Sequence, residues 1–237
     1  DLDKKCEMAK MLIFCSPHNP TGRVWTPKEL KKVGEICARR QVLVFADEIH
    51  SDLIMRPNVH TVFASANPEM ENRTLTAVSA SKTFSLAGLS CASILIPDQG
   101  LRKTYQEQGA SEGVEFNNVF GQTASQAALE EGEPWLEELI SYIWENYIYV
   151  KRFLGEHFPQ VKVLPLEGTY LLWADFSGLG LSEQELESFM LNEAKLYLDE
   201  GYIFGKAGSG YERINLACPR KCLEDALERL KTAWERR

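Results

Sequence analysis

The sequence has no long apolar run, no basic block and no C-x-x-C pair of cysteines. No stretch approaches the roughly 18 consecutive apolar residues of a membrane-spanning helix, so no membrane segment is expected. Lys and Arg are outnumbered 26 to 34 by Asp and Glu, a net charge of −8, and they are scattered along the chain. Nucleic-acid and membrane-surface binding both need clustered positive charge, so the expectation is no nucleic acid and no membrane among the partners. The six cysteines (Cys6, Cys15, Cys37, Cys91, Cys218, Cys222) never take the C-x-x-C spacing of a zinc or redox site, and no signal-peptide pattern opens the chain. They read as reduced thiols of a cytoplasmic protein, and no metal site is expected.

What is present is ordinary globular material: 44% hydrophobic and 25% charged residues, enough for a core and incompatible with disordered or collagen-like classes. A length of 237 residues allows one large domain or two modest ones. Met11–Cys15 is a short apolar run ending in Pro17, Asn19, Pro20 and Gly22, a buried strand that runs into a turn. Thr26-Pro27-Lys28-Glu29 combines an N-cap, a proline at the first helical position and a Glu three after the cap, and predicts a helix to about Arg40.

Residues 42–46, 75–80 and 92–96 repeat the short apolar run. Runs apolar on both faces and separated by helical segments predict an α/β fold with a mostly parallel sheet sandwiched by helices. Helices are expected over 122–131 and from 134 to about 157, short strands over 161–164, 170–175 and 213–217, a capping box at Ser182-Glu183-Gln184-Glu185, and a closing helix from 223 to about 234. A domain boundary is placed near residue 150, giving 1–150 as part of a large domain and 151–237 as a small α+β domain. Gly205-Lys206-Ala207-Gly208-Ser209-Gly210 lacks Walker spacing and precedes a strand, so it reads as a turn.

In an open α/β sheet, ligands bind outside the carboxyl ends of the strands. Asn19 follows the first run; Asp47, Glu48 and His50 follow the second; Ser79, Ser81 and Lys82 end the third. Taken singly, an Asp or Asn at a strand end is a turn former and a Lys there is a solvated charge. Together they put an amide, a carboxylate and an amine at one edge.

These segments, Asn19-Pro20-Thr21-Gly22, Asp47-Glu48 and Ser79-Ala80-Ser81-Lys82-Thr83-Phe84 with Gly88 downstream, resemble the fold-type I pyridoxal-phosphate enzymes of the class I/II aminotransferase group. The resemblance runs from about residue 10 to the C-terminus. Ala46-Asp47-Glu48-Ile49-His50-Ser51-Asp52-Leu53 with His60, Ser81-Lys82-Thr83-Phe84-Ser85-Leu86-Ala87-Gly88-Leu89, and Glu167-Gly168-Thr169-Tyr170-Leu171 look like the MalY/PatB subgroup of cystathionine and cysteine-S-conjugate β-lyases.

The resemblance implies pyridoxal 5'-phosphate as cofactor. Lys82 is then the amine that holds it covalently and takes the Cα proton, Asp47 the carboxylate facing the pyridine nitrogen, Asn19 the amide on the ring oxygen, and Ser79 and Ser81 the hydroxyls on the phosphate. His50 replaces a family Tyr and is either a cofactor contact or a structural histidine. Arg213, in Tyr211-Glu212-Arg213-Ile214-Asn215-Leu216-Ala217, resembles the residue that binds the substrate α-carboxylate, a task suited to a planar guanidinium. Tyr170 either lines the substrate pocket or packs in the small-domain sheet. Many aminotransferases carry an Arg eight residues after the lysine; here that residue is Ser90, which favours the lyase subgroup.

The implied function is a carbon–sulfur β-lyase that turns a cystathionine-like amino acid into thiol, pyruvate and ammonia, acting as a homodimer. The alternatives are an aminotransferase on the same scaffold and, in another class, a regulatory or binding module of aminotransferase-like fold. The chain opens Asp1-Leu2-Asp3, and the family's glycine-containing phosphate turn and ring-stacking aromatic have no counterpart in it. The expectation is therefore the C-terminal portion of a longer enzyme, inactive alone for want of those contacts.

Overall fold

The computed structural model describes residues 1–114 and 118–237. The chain divides into two units: Asp1–His18 with Val24–Glu137, and Asn19–Arg23 with Glu138–Arg237.

Unit 1 opens with α1 (Leu2–Cys6) and builds a four-stranded sheet in the order β1 (Met11–Cys15), β2 (Leu43–Asp47), β3 (Thr74–Val78), β4 (Ser93–Leu95). The first three strands are parallel and β4 is antiparallel to β3. α2 (Pro27–Arg40) connects β1 to β2 and starts as its sequence predicts, with a reciprocal capping box between Thr26 and Glu29. It ends where Gln41 turns left-handed at φ 56°. Its buried residues Leu30 and Cys37 meet Phe14, Val44 and Ala46 from one face of the sheet. Each fully buried aliphatic side chain there contributes about 1.5–3 kcal/mol. On the opposite face, Met11 and Ile13 of the edge strand remain 46% and 72% exposed.

The β2-to-β3 connection carries α3 (Phe63–Ala66), held by a buried carboxylate. Glu48 accepts from the Phe63 amide at 2.8 Å and lies 2.9 Å from His60 Nε2. Asn67, fully buried, donates to the carbonyls of Leu30 (3.2 Å) and Phe63 (3.0 Å), so one amide ties α2 to α3. Gly34 of α2 lets that amide approach, because a Cβ at this position would overlap the Asn67 side chain. After β3 come α4 (Ala80–Thr83), β4, α5 (Gln99–Glu112) and α6 (Val119–Glu131). The next helix, α7 (Glu133–His157), contains the division between the units.

Unit 2 holds an antiparallel sheet in the order β5 (Lys162–Val163), β6 (Leu171–Asp175), β8 (Tyr211–Asn215), β7 (Asp199–Glu200). α8 (Glu183–Ser188) begins with the expected Ser182–Glu185 capping box, and α9 (Arg220–Trp234) closes the chain. Phe158, Leu172, Phe189, Leu227 and Leu230 are buried in this unit. The Asn19–Arg23 segment belongs here because the Gly22 carbonyl accepts from the amides of Glu167 and Gly168, both at 2.9 Å. Gly22 takes φ 69°, a left-handed conformation that glycine adopts without strain.

The α/β expectation holds, with local corrections. The third strand stops at Val78 instead of residue 80 because Ser79 leaves the sheet to cap α4. The fourth is only Ser93–Leu95, and antiparallel. α5 was not anticipated; none of its residues is buried, so it carries no apolar stripe for a periodicity reading to find. Among the described residues no helix is long and apolar enough to cross a membrane, and all six cysteines are free thiols.

Two glycine substitutions should move stability in opposite directions. Gly34→Ala should lower it by about 1–3 kcal/mol through overlap with buried Asn67. Gly155→Ala, on α7 where an added Cβ meets nothing within 4 Å, should raise it by about 0.5–1 kcal/mol. Urea denaturation of the two variants measures both.

Candidate active site

The parallel register of unit 1 brings the carboxyl ends of three strands to one edge. Cys15 is level with Asp47, and Asp47 with Ala77. The pairing continues one residue further, with the Ser16 amide donating to the Asp47 carbonyl (3.0 Å) and the Glu48 amide to the Ala77 carbonyl (2.9 Å). Asp47 is half-buried, and its Oδ1 accepts one long bond from the Ile49 amide at 3.4 Å. This leaves acceptor capacity on the carboxylate. His50 is buried in the turn that follows, where its carbonyl accepts from the Leu53 amide.

Beyond β3, Ser79 caps α4 by accepting from the Ser81 amide at 3.1 Å. The two serine hydroxyls are 2.7 Å apart, and Ser79 donates to the Cys91 carbonyl at 2.7 Å. Lys82 follows on the same short helix, half-buried. Among the described residues its ammonium makes no hydrogen bond or ion pair. The next residue, Thr83, anchors the helix by donating to Asp52 at 2.8 Å. Ser90 ends a 3₁₀ turn in the left-handed region and is exposed.

Unit 2 carries the remaining candidates. Arg213 on β8 donates from Nη1 to Asn19 Oδ1 at 2.8 Å, and from Nε (3.1 Å) and Nη2 (2.5 Å) to Asp199 Oδ2. The Phe204 ring lies 4.8 Å from its guanidinium carbon. Tyr170 is half-buried; burial pushes its phenol upward and the Arg213 charge opposes that shift. The structure thus brings Asp47, Ser79, Ser81 and Lys82 to one edge of unit 1, and Asn19 and Arg213 together in unit 2. Sequence reasoning did not single out Asp199 or Phe204. Asp199 lies opposite Arg213 across a two-residue strand, too short to leave an alternation pattern.

The donor set can be tested against pyridoxal phosphate. An uncommitted amine suits an aldehyde, a carboxylate with spare acceptor capacity suits a protonated pyridine nitrogen, and a pair of adjacent hydroxyls suits a phosphate. Asn19 fits as well, since its carboxamide oxygen is taken by Arg213 and its NH2 group is a donor that a ring oxygen can accept from. Among the described residues no cluster of three or more His, Cys, Asp or Glu side chains could hold a metal ion.

Residues 1–230 match the family model described as aminotransferase class I and II. The chain belongs to this family. It is 40% identical over 235 residues to cystathionine beta-lyase PatB of Bacillus subtilis, covering 98% of this chain and 61% of that protein. Cystalysin of Treponema denticola, whose structure contains a pyridoxal 5'-phosphate cofactor, superposes with a TM-score of 0.97 at 38% identity, covering 99% of this chain and 60% of that one. The PLP-bound C-S lyase of Staphylococcus hominis superposes at 0.90 and 33% identity, covering 98% and 59%. The chain therefore spans about three-fifths of the length of these relatives.

One buried acid beside the Arg213 pair has no expected role. Glu212 points to the other face of β8, is 1% exposed, and among the described residues neither of its carboxylate oxygens has a hydrogen-bond partner. Burial, reinforced by Glu200, Glu187 and Asp199, pushes its carboxyl up to about 8. Between the ordinary carboxyl range and that value, the folded chain keeps a proton that the unfolded chain has released. Stability therefore falls as pH rises through this window and levels off above it. Wild type should lose on the order of a few kcal/mol from about pH 5 to about pH 8, and Glu212→Gln should remove most of that slope. Denaturant midpoints of the two proteins across the window check the sign.

Proposed function

We propose that the protein to which this chain belongs is a pyridoxal-phosphate-dependent carbon–sulfur β-lyase acting on amino acids of the cystathionine or cysteine-S-conjugate type. The observation that carries this reading is the set of amine, carboxylate and paired hydroxyls at one sheet edge, in a chain 40% identical to a cystathionine beta-lyase. The cofactor, when bound, supplies an electron sink for the carbanion formed at the substrate Cα.

The chain's own residues do the rest. Lys82 would hold the cofactor through its amine and, once that amine is free, would take the substrate Cα proton as general base. Asp47 would keep the pyridine nitrogen protonated, and Ser81 would donate to the phosphate, joined by Ser79 once its hydroxyl turns from the Cys91 carbonyl. Asn19 donates to the ring oxygen while its own carbonyl steadies Arg213. Arg213 takes the substrate α-carboxylate as a planar donor pair, with Tyr170 beside it. His50, buried at the strand end, shapes the cofactor pocket. With the Cα proton on Lys82, the Cβ–S bond would break and the thiolate would take that proton back from Lys82 to leave as the thiol; water would then hydrolyse the three-carbon remainder to pyruvate and ammonia.

A homodimer in a cytoplasmic setting is part of the same reading. Exposed Val119 and Phe120 at the start of α6 support the first, and the free thiols support the second. The second reading is transamination, which the family description itself favours.

With full-length holoenzyme and cystathionine, pyruvate should form without any added keto acid; pyruvate or keto-acid formation that requires an acceptor would instead establish the aminotransferase. Lys82→Ala should lose the visible absorbance of the covalently held cofactor and at least about 10²–10⁴-fold of turnover. Retention of both would remove Lys82 from the mechanism.

A further inference from the structure

We propose that Asp199 is a positioning residue for substrate recognition: it holds one side of the Arg213 guanidinium so that the other end is presented to the α-carboxylate. The inference rests on the reading of Arg213 as the carboxylate partner and deepens it.

The geometry within unit 2 supports the assignment. β7 and β8 are antiparallel, and Asp199 lies directly across from Arg213 in their register. A backbone ladder therefore sets the distance between the two side chains. One oxygen of Asp199 receives both Nε and Nη2, at 3.1 and 2.5 Å, while Nη1 goes to Asn19 at 2.8 Å. A guanidinium has five N–H donors. Three are used here, which leaves one on each terminal nitrogen, and a carboxylate bound in bidentate fashion needs one from each.

Phe204 limits the remaining freedom, its ring 4.8 Å from the guanidinium carbon. The Arg213 side chain is consequently only 19% exposed, against 48% for Asp199. An unrestrained arginine carries about 2 kcal/mol of rotamer entropy that a bound carboxylate would have to overcome. Here the restraint is already present before any ligand arrives, which is the condition for tight binding by a single charged side chain. The opposite role is also chemically defined. Asp199 brings a negative charge of its own, so if it acted as a stand-in that the substrate must displace, its removal would strengthen carboxylate binding.

The sign of the effect separates the two. Propionate, with propionamide as the uncharged control, is titrated into the full chain and binding is followed through the Arg Nε–H resonances in NMR, for wild type, Asp199→Ala, Asp199→Asn and Arg213→Lys. Asp199→Ala should weaken propionate by about 10–100-fold, the penalty typical of a misplaced contact group. Asp199→Asn, which keeps an acceptor for the Nε side, should recover part of the loss, and propionamide should respond to neither change. Propionate bound equally or more tightly by Asp199→Ala, or equal losses for propionate and propionamide, would overturn the positioning role. If Asp199→Ala fails to fold, Asp199→Asn decides alone, and full wild-type affinity together with a wild-type Nε–H resonance in that variant would overturn the role. The underlying reading fails separately: wild type that does not bind propionate, or an Arg213→Lys variant that binds it as wild type does, would remove Arg213 as the carboxylate partner and the role of Asp199 with it.

Discussion

The parallel pairing of β1, β2 and β3 is the constraint on which the candidate chemistry depends. Parallel strands all present their carboxyl ends at the same edge, so residues far apart in the chain and placed just after their strands are brought level. The bonds from Ser16 to Asp47 and from Glu48 to Ala77 extend the ladder to the last residue before each turn. Asp47 and the Ser79–Lys82 stretch can then act on one ligand because the ladder admits no sliding: a shift of one residue would turn Asp47 to the other face. The turns are secured by buried polar groups. Glu48, next to the cofactor candidate, ties His60 and the Phe63 amide to the strand end, so two adjacent carboxylates have opposite roles, one left available and one fully engaged.

The same alternation operates on β8 in unit 2. Glu212 and Arg213 are neighbours in sequence and face opposite ways. Arg213 is surrounded by the Asp199 carboxylate, the Asn19 amide oxygen and the Phe204 ring face. Glu212 has no such partners and stays neutral by keeping its proton.

These two strands also show what the sequence made legible. Elements with strong local chemistry could be read directly: the Thr26–Glu29 and Ser182–Glu185 capping boxes, the apolar runs of β1 and β2, and the position of the polar groups that follow them. The elements missed were those whose existence depends on partners distant in sequence. β7 is two residues long and forms only because β8 lies beside it. α5 buries nothing and so has no periodic stripe. Asp199 was invisible for the same reason as β7, since its significance comes from a cross-strand register and not from a motif. The Asn19–Arg213 bond joins residues 194 positions apart, a pairing no spacing argument reaches.

On the proposed reading, elimination and transamination would share their steps up to removal of the Cα proton. Both would draw on the amine of Lys82, the carboxylate of Asp47 and the guanidinium of Arg213. They diverge in the next step, according to whether the proton is returned to the cofactor or the bond from Cβ to its substituent breaks first. That competition is one of rates, and each 1.4 kcal/mol of barrier difference is about tenfold in partition. A thiolate leaving group would lower one barrier by its own chemistry, whereas reprotonation would need the Lys82 amine to reach a second carbon. α4 is a single turn, capped by Ser79 at one end and tied through Thr83 to Asp52 at the other. A lysine on so short and doubly fixed a helix has only its own side-chain torsions with which to make that transfer. On the proposed reading, a thiolate leaving group is what would tip that competition toward elimination.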